Sequence, residues 1–413
     1  MVMRKAAGPA IIVLLLFSSF VLSYPIQPSN ANSISGSVSS LSCVSQVVHE
    51  EEAIYKGIDM QKAVATAESS SEFEAISNSH TFTLFGVAPS FSFDSATCSG
   101  AALNAVSVDF IFNDVLVASC GARIPEGFQI FENAGLDRVT GASVNQSPVS
   151  CDPSFGQLGI SPTSSVITNN HWSGYRVWYV LNGLTTTELY ADTNFVQPSV
   201  GGNQECYGGG ANQTCALAIW GGLENKTQTF LAQTGTEGSI YCTSTKSCGS
   251  PTYVGWYEFA PAAPRYTCPS TDTVSPGSTM EPVVENGLEL SGTNTEYQTF
   301  LFGPSWTCSS PLTNFPTAGT TYYADAILER PTISNIGLAT LATFSSVVNY
   351  GNIECYSTSS SSCFYFNTPY SNGWYDKIEL YTTCSGSSVL DISISGITTM
   401  GNFTSAYKTN CDT

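Results

Sequence analysis

The amino-acid sequence predicts an all-β protein, because β-strand patterns fill most of the chain and helical spacing is rare. After His171, short runs rich in Tyr, Val, Thr, Trp and Phe alternate with clusters of Gly, Asn, Ser and Pro, for example at 174–180, 216–220 and 253–259. Many short strands separated by turn residues indicate a sandwich or a barrel. Only His49–Glu74 has a composition that predicts a long helix.

The first residues, 1–31, predict a secretory signal. Arg4 and Lys5 supply positive charge, and residues 10–23 form an uncharged apolar run that is short for a bilayer span. We expect cleavage near Ser23 or Ala31, and an uncleaved segment would instead anchor the protein at the cell surface. The remaining sequence contains no second apolar run of that kind, so we expect a secreted, extracellular protein without stable membrane insertion.

Three further segments follow the signal. Residues 32–138 form a smaller β-rich N-terminal region with predicted strands at 81–87, 105–112 and 115–119. Residues 139–167 are rich in Ser, Pro, Gly and Asn, which predicts a linker. Residues 168–413 form the main β domain.

Two roles for the N-terminal region are open. It is either a propeptide or a permanent accessory domain. As a propeptide it would cover a groove until acid protonates Glu50, Glu51 and Glu52 and breaks their contacts with bases. Its even number of cysteines allows internal pairing, which suits an accessory domain: Cys43, Cys98, Cys120 and Cys151.

The charge balance indicates a protein adapted to acid. Lys and Arg number 13 against 32 Asp and Glu, which gives a formal net charge of −19. Such a surface does not suit a nucleic-acid partner. In strong acid the carboxylates protonate, and few bases remain to repel one another and unfold the chain. An ordinary acidic secreted protein is the alternative.

The 14 cysteines predict disulfides in a secreted chain. The closest pairs are expected to staple loops: Cys206 with Cys215, Cys242 with Cys248, and Cys355 with Cys363. Metal binding is the alternative, but the sequence has three histidines and no CxxC motif, so we expect neither a metal nor a cofactor. Four sequons permit glycosylation, at Asn145, Asn212, Asn225 and Asn402.

Period-two alternation places polar residues on defined faces of three predicted strands. Gln233 shares a face with Leu231 in one strand. Glu329 shares a face with Asp325 and Ile327 in a second strand, and a third strand places Glu258 on one face with Trp256 and Val254. The alternation alone leaves open whether these faces meet.

Five motifs occur in an order that resembles the eqolisin family of glutamic peptidases. They are Asn-His-Trp-Ser-Gly-Tyr at 170–175, Ala-Ile-Trp-Gly-Gly-Leu-Glu at 218–224, Leu-Ala-Gln-Thr-Gly at 231–235, Trp-Tyr-Glu-Phe-Ala-Pro at 256–261, and Ala-Asp-Ala-Ile-Leu-Glu at 324–329. The resemblance covers about residues 168–335. It implies a jelly-roll-like β-sandwich of two bent antiparallel sheets with a substrate groove on the concave face.

The resemblance also implies roles for individual residues. Gln233 and Glu329 take the places of the catalytic pair, which activates a water for peptide hydrolysis. The groove-lining or supporting positions fall on Trp172, Trp220, Glu224, Trp256 and Glu258. This chain departs from the family at His171, at Glu224 and at Phe259-Ala260, which bears on subsite preference. The implied function is a secreted, monomeric acid endopeptidase acting on polypeptides.

Simpler interpretations stand beside these roles. Trp172 and Trp256 can be ordinary core aromatics, and Glu224 and Glu258 can be surface carboxylates. Glu258 and Glu329 can also form the carboxyl pair of a β-sandwich glycoside hydrolase, and a carbohydrate-binding surface protein would need no catalytic pair. His171 replaces a residue that does not titrate, so we do not expect it to act as a base. The sequence carries no HExxH motif, nucleotide-binding Walker loop or Asp-Thr-Gly signature.

Overall fold

The computed structural model describes one compact unit within Ser35–Thr413. The described residues are 47, 50–51, 53–119, 122–145, 165–181, 184–185, 187–203, 206, 213–225, 227, 229–243, 247–287, 296–315, 321–333, 337–357, 362–366, 373–384, 387–398 and 402–408. The predicted signal at 1–31 lies outside them. No helix in the described part of the chain is long and apolar enough to span a bilayer.

The long helix predicted over His49–Glu74 is wrong, because the described residues there form shorter pieces. Helix α1 is Met60–Glu68 and helix α2 is Ser71–Ser77. The side chain of Asp59 accepts a hydrogen bond from the Lys62 amide, and that of Ser70 accepts one from Phe73. These side chains cap new helix starts, and the composition alone did not reveal the breaks.

The N-terminal region forms a four-stranded antiparallel meander on which α1 and α2 pack. Its strands are β1 Phe82–Asp94, β2 Ser99–Ser119, β3 Ala122–Asn133 and β4 Val139–Asn145. The predicted strands are therefore present but longer than expected. The start of the predicted linker is wrong, since β4 pairs with β3 along most of its length. The backbone hydrogen bonds to β3 form a strand here although the composition, rich in Ser and Gly, predicted a linker. Residues 146–164 lie outside the described residues.

The rest of the described chain adds 23 strands. They are β5 Ser165–Asn169, β6 Trp172–Leu181, β7 Leu184–Thr185, β8 Thr187–Val196, β9 Val200–Gly201, β10 Gln213–Asn225, β11 Leu231–Cys242, β12 Thr252–Ala260, β13 Tyr266–Thr267, β14 Thr279–Gly287, β15 Glu296–Phe302, β16 Trp306–Ser309, β17 Thr313–Asn314, β18 Thr321–Glu329, β19 Thr332–Ile333, β20 Gly337–Leu338, β21 Thr340–Leu341, β22 Thr343–Phe344, β23 Val347–Ser357, β24 Ser362–Tyr365, β25 Gly373–Cys384, β26 Ser387–Ile394 and β27 Phe403–Tyr407.

These strands form a large, mostly antiparallel sheet that folds back on itself as two layers. The first layer runs β25–β6–β18–β10–β11–β12–β13. The second runs β23–β8–β14–β15–β16–β1–β2–β3–β4, and β26 and β27 connect the layers at one edge. The predicted all-β, sandwich-like fold is confirmed.

The main core lies between the two layers. Alternate residues of β10 point into it, namely Leu217, Ile219 and Leu223, and they belong to one buried cluster with Phe195 and Val284 of the second layer. The intervening residues of β10 point to the opposite, outer face of the first layer. That outer face has its own buried aromatic cluster, which includes Trp172, Trp220 and Trp256.

Two of the predicted disulfides are present, Cys206–Cys215 and Cys242–Cys248. In β23 and β24 the backbones of Cys355 and Cys363 lie opposite each other. A third disulfide, Cys268–Cys308, was not predicted, because its cysteines are 40 residues apart in sequence. Cys98 is disulfide-bonded. The other cysteines predicted to pair within the N-terminal region, Cys43, Cys120 and Cys151, lie outside the described residues.

Candidate active site

The strand register brings the predicted site residues onto one face. Across the first layer, Glu329 of β18 pairs with Trp172 of β6 and with Ala218 of β10. Two residues further along β10, Trp220 pairs with Gly235, which pairs with Trp256. Paired residues point to the same side of a sheet, and side chains two apart in a strand do so too.

The next position along β10 completes the arrangement. Gly222 pairs with Gln233 of β11, which in turn pairs with Glu258 of β12. Glu224 follows two residues later on β10. The three polar faces that the alternation defined therefore do meet, on the outer face of the first layer.

Every predicted site residue is buried: Trp172, Trp220, Glu224, Gln233, Trp256, Glu258 and Glu329 are each at most 1% exposed. The interpretation of Glu224 and Glu258 as surface carboxylates is therefore wrong. The tryptophans do pack with one another, since the rings of Trp172 and Trp220 meet edge to face at 5.1 Å between centroids. A substrate reaches this face only if the protein opens there.

Trp220 holds Glu329 in place. Its indole Nε1 donates a hydrogen bond of 2.7 Å to Glu329 Oε2. The indole extends towards Gly222, where an added Cβ would come within 3.0 Å of the Trp220 Cζ3 atom. Gly235 is required for a different reason, since a Cβ there would clash with the Ile219 backbone oxygen.

Glu258 holds Gln233 in place. The side-chain amide nitrogen Nε2 donates a hydrogen bond of 2.8 Å to Glu258 Oε2, while Gln233 Oε1 has no hydrogen-bond partner in the described part of the chain. The amide nitrogen, rather than the amide oxygen, therefore faces Glu258. The amide nitrogen carries two N–H groups, and this contact uses one of them.

The register also sets the separation of Gln233 and Glu329. They lie two strands apart and four residues apart along the strands. In a flat sheet their Cα atoms would be about 16 Å apart. The Trp220 side chain rises from the strand between them and reaches Glu329. A water or a carbonyl group can bridge Gln233 and Glu329 only if their side chains close this distance.

A buried arginine that the motifs did not single out lies on the same face. Arg176 of β6 contacts Glu224 at 2.9 Å and Asp325 at 3.3 Å, and its guanidinium lies 5.0 Å from the Tyr323 ring centroid. Burial raises the pKa of Asp325 to about 6, and Arg176 offsets part of that rise. Alternation from Trp172 would have placed Arg176 on this face.

A second ion pair lies beside Trp256. Arg265 Nη1 contacts Glu237 Oε2 at 2.5 Å, and both side chains are 11% exposed. The Arg265 guanidinium lies 5.5 Å from the Trp256 ring centroid. Glu237 pairs in register with Ala218, which separates it from Glu329 in the same cross-strand row. Alternation from Gln233 predicts this face for Glu237, whereas no sequence signal placed Arg265 here.

In the described part of the chain, no group of three His, Cys, Asp or Glu side chains is arranged to hold a metal ion. Comparison with protein-family models, with curated proteins and with solved structures finds no match for this chain.

Proposed function

We propose that the protein is a secreted acid endopeptidase in which Gln233 and Glu329 activate water. One observation carries the proposal: both side chains lie on one face of one sheet, and each is held by a dedicated partner, Glu258 for Gln233 and Trp220 for Glu329. Gln233 is a donor to the oxyanion that cannot titrate, and Glu329 is a carboxylate that can. The resemblance of the surrounding motifs to those of the glutamic peptidases supports the same proposal.

The reaction uses these groups in order. Glu329 as a carboxylate takes a proton from a water between it and Gln233, and the water oxygen bonds to the scissile carbonyl carbon. The second N–H of Gln233 donates to the oxyanion that forms. Glu329 then gives its proton to the amide nitrogen, the C–N bond breaks, and an amine and a carboxylic acid leave.

Trp220 and Glu258 orient the two catalytic side chains. Trp220 donates to one oxygen of Glu329, which orients the carboxylate, and the other oxygen serves as the base. Glu258 turns the amide of Gln233 so that its nitrogen, rather than its oxygen, lies near the reacting carbonyl. A general base contributes roughly 10²–10⁴-fold in rate and one oxyanion donor roughly 10²–10³-fold.

The geometry favours a peptidase over the glycoside hydrolase that Glu258 and Glu329 suggest. These two glutamates are three strands and four residues apart. In a flat sheet their Cα atoms would be about 20 Å apart, roughly one strand spacing more than those of Gln233 and Glu329. The carboxyl groups of glycosidases lie about 5–9.5 Å from each other, so this pair would need both side chains to lean together. Glu258 also already hydrogen-bonds Gln233.

The test is digestion of an unfolded protein at about pH 3, within the range that the scarcity of bases predicts. We expect cleavage that resists pepstatin and chelators. Glu329→Gln and Gln233→Ala should each lower kcat/KM by roughly 10²–10⁴-fold with unchanged thermal melting.

Matched controls are Glu296→Gln and Gln298→Ala, which change the same residue types in β15 of the second layer. Both controls should keep full activity. A fully active Glu329→Gln enzyme would remove the proposed mechanism. Activity abolished by a chelator or by pepstatin would point to a different class of peptidase.

A further inference from the structure

The N-terminal region is built into the main sheet. Strand β1 pairs with β16 of the second layer, with Ser90 opposite Cys308 and Phe91 opposite Thr307. The residue opposite Ser90 belongs to the Cys268–Cys308 disulfide, which ties β16 to the chain just after β13. Removal of residues 47–145 would therefore leave β16 with β15 alone and expose its other edge.

Asp109 lies at the centre of the contact between the N-terminal region and the first layer. Its carboxylate accepts hydrogen bonds from Tyr257 Oη of β12, from Gln129 Nε2 at 3.0 Å and from Ser107 Oγ at 2.9 Å. Gln129 also accepts a hydrogen bond of 2.8 Å from the Thr267 amide of β13. Asp109 and these side-chain donors are buried. All three donors are neutral.

A second pair of buried carboxyl groups lies beside β1 and β16. Asp272 accepts a hydrogen bond of 2.7 Å from Ser90 Oγ of β1. Glu51, which precedes α1, is buried beside Thr307 of β16 and faces Asp272. Within the described residues, neither of these groups nor Asp109 forms an ion pair with a base.

The groups that face these carboxyls all favour the protonated form or are neutral. Burial, together with the negative charges of Asp272 and Glu50, raises the pKa of Glu51 to about 8, and the Thr307 hydroxyl offsets part of that rise. Burial raises the pKa of Asp272 to about 7 and that of Asp109 to about 6, with partial offset from hydroxyl and amide donors. Burial raises the pKa of Tyr55 and of Tyr266, and the negative charge of Asp109 adds to both rises.

We propose that residues 47–145 are a permanent module whose attachment to the sandwich tightens in acid and loosens towards neutral pH. Glu51, Asp109 and Asp272 act together as the latch, because each must be neutral to be buried without a base. The direction is opposite to that of a propeptide released by acid. Glu50, one of the residues expected to pair with a base, instead accepts a hydrogen bond of 2.9 Å from the Ala101 amide, and Glu52 lies outside the described residues.

The raised pKa values determine how the strength of the attachment changes with pH. Each folded-state pKa lies above the value near 4 that a free carboxyl group has, so the attachment is strongest below pH 4. It weakens as pH rises from about 4 and is weakest once pH exceeds the folded-state pKa values of about 6 to 8. A rise of about three pKa units at Asp272 alone changes the attachment equilibrium on the order of 10³-fold between these limits.

The experiment is hydrogen exchange of the secreted full-length protein from pH 4 to pH 8, corrected for the intrinsic exchange rate. The Glu329→Gln background prevents self-digestion, so the result does not depend on the proposed peptidase activity. We expect protection of β1 and β16 to fall at least 10-fold between pH 5 and pH 8, while protection of β10 and β11 changes less.

Amide variants separate the latch from general pH effects. Asp272→Asn mimics the protonated carboxyl and should weaken the pH dependence of hydrogen-exchange protection in β1. The double variant with Glu51→Gln should weaken that pH dependence further. Glu68→Gln on the exposed side of α1 is the control and should behave like the parent. Constant protection across the pH range, or loss of protection in β1 on acidification, would overturn the proposal.

Discussion

The candidate active site and the N-terminal interface both bury several carboxyl groups, but they surround them differently. On the site face, Arg176 contacts Glu224 and Asp325, and Arg265 contacts Glu237. At the interface, Asp109 and Asp272 have hydroxyl and amide donors, and neither forms an ion pair with a base among the residues that the structure describes. A neighbouring base favours the charged form of a buried carboxyl, whereas burial among neutral donors favours the protonated form. The base offsets only part of the effect of burial, since the pKa of Asp325 beside Arg176 and the pKa of Asp109 without a base are both raised to about 6. The two regions therefore differ in whether losing one partner leaves a buried carboxyl group uncompensated.

The largest expected effect comes from removing the base on the site face. Arg176→Met leaves Glu224 and Asp325 buried without their partner, which should lower the free energy of unfolding by about 3–5 kcal/mol at neutral pH. The pKa of Asp325 is already raised to about 6 by burial, and loss of Arg176 raises it further. In acid the carboxyls protonate, so the penalty should shrink. Urea unfolding at pH 7 and at pH 3 measures both values.

The same variant bears on the comparison between the two regions. Lys377→Met removes a base from a pair with Glu379 whose side chains are 23% and 17% exposed, and it serves as the control with an expected change of about 1 kcal/mol. If Arg176→Met is equally destabilised at pH 3 and pH 7, the arginine acts through packing against Trp172 and Tyr323 rather than through charge.

A smaller effect is expected at the donor to Glu329. Trp220→Phe keeps an aromatic ring on the sheet but removes the indole N–H. Hydrogen bonds to charged groups contribute about 1.5–3 kcal/mol, so kcat/KM should fall roughly 10–100-fold if the carboxylate must be held for catalysis. Thermal melting and peptide cleavage measured together separate the two roles, since a purely structural tryptophan would lower the melting temperature and leave kcat unchanged. Trp178→Phe, whose ring stacks with Tyr322, is the matched control.

The sequence allowed the local arrangement of the site to be predicted, but not its electrostatic surroundings. Period-two alternation placed Gln233, Glu258 and Glu329 on faces that the register then joins, because side-chain direction in a strand is a local property. The contacts of Asp109 with Tyr257 and of Cys268 with Cys308 join residues 148 and 40 positions apart. Such contacts depend on how distant strands pair, which no local pattern encodes.

Errors at the element boundaries have the same origin. Strand β4 arises in a segment of linker-like composition because β3 offers a partner edge. The predicted helix is broken where Asp59 and Ser70 bond to backbone amides, and those bonds compete with helix continuation. In both places a tertiary or side-chain hydrogen bond outweighs the composition of the segment.

The smallest expected effect concerns the ion pair at the edge of the site. Glu237 and Arg265 are mostly buried and lie 2.5 Å apart, and the amide oxygen of a glutamine can still accept from Arg265, so Glu237→Gln should keep the fold. Glu237 shares a cross-strand row with Glu329, and in a flat sheet the two Cα atoms would be about 10 Å apart. Removing its negative charge should favour the ionised form of Glu329, so the acid limb of the kcat profile should move to lower pH by a few tenths of a unit.

Arg265→Gln supplies the opposite change, since it removes the positive charge that contacts Glu237 and should move that limb to higher pH. The double variant should return close to the parent, because the two charges cancel at this distance. Peptide cleavage from pH 2 to pH 6 measures all three profiles. Unchanged profiles would mean that Glu329 does not sense charge on its own face. Shifts in one direction for both single variants would mean that the pair acts by packing against Trp256 rather than through its field.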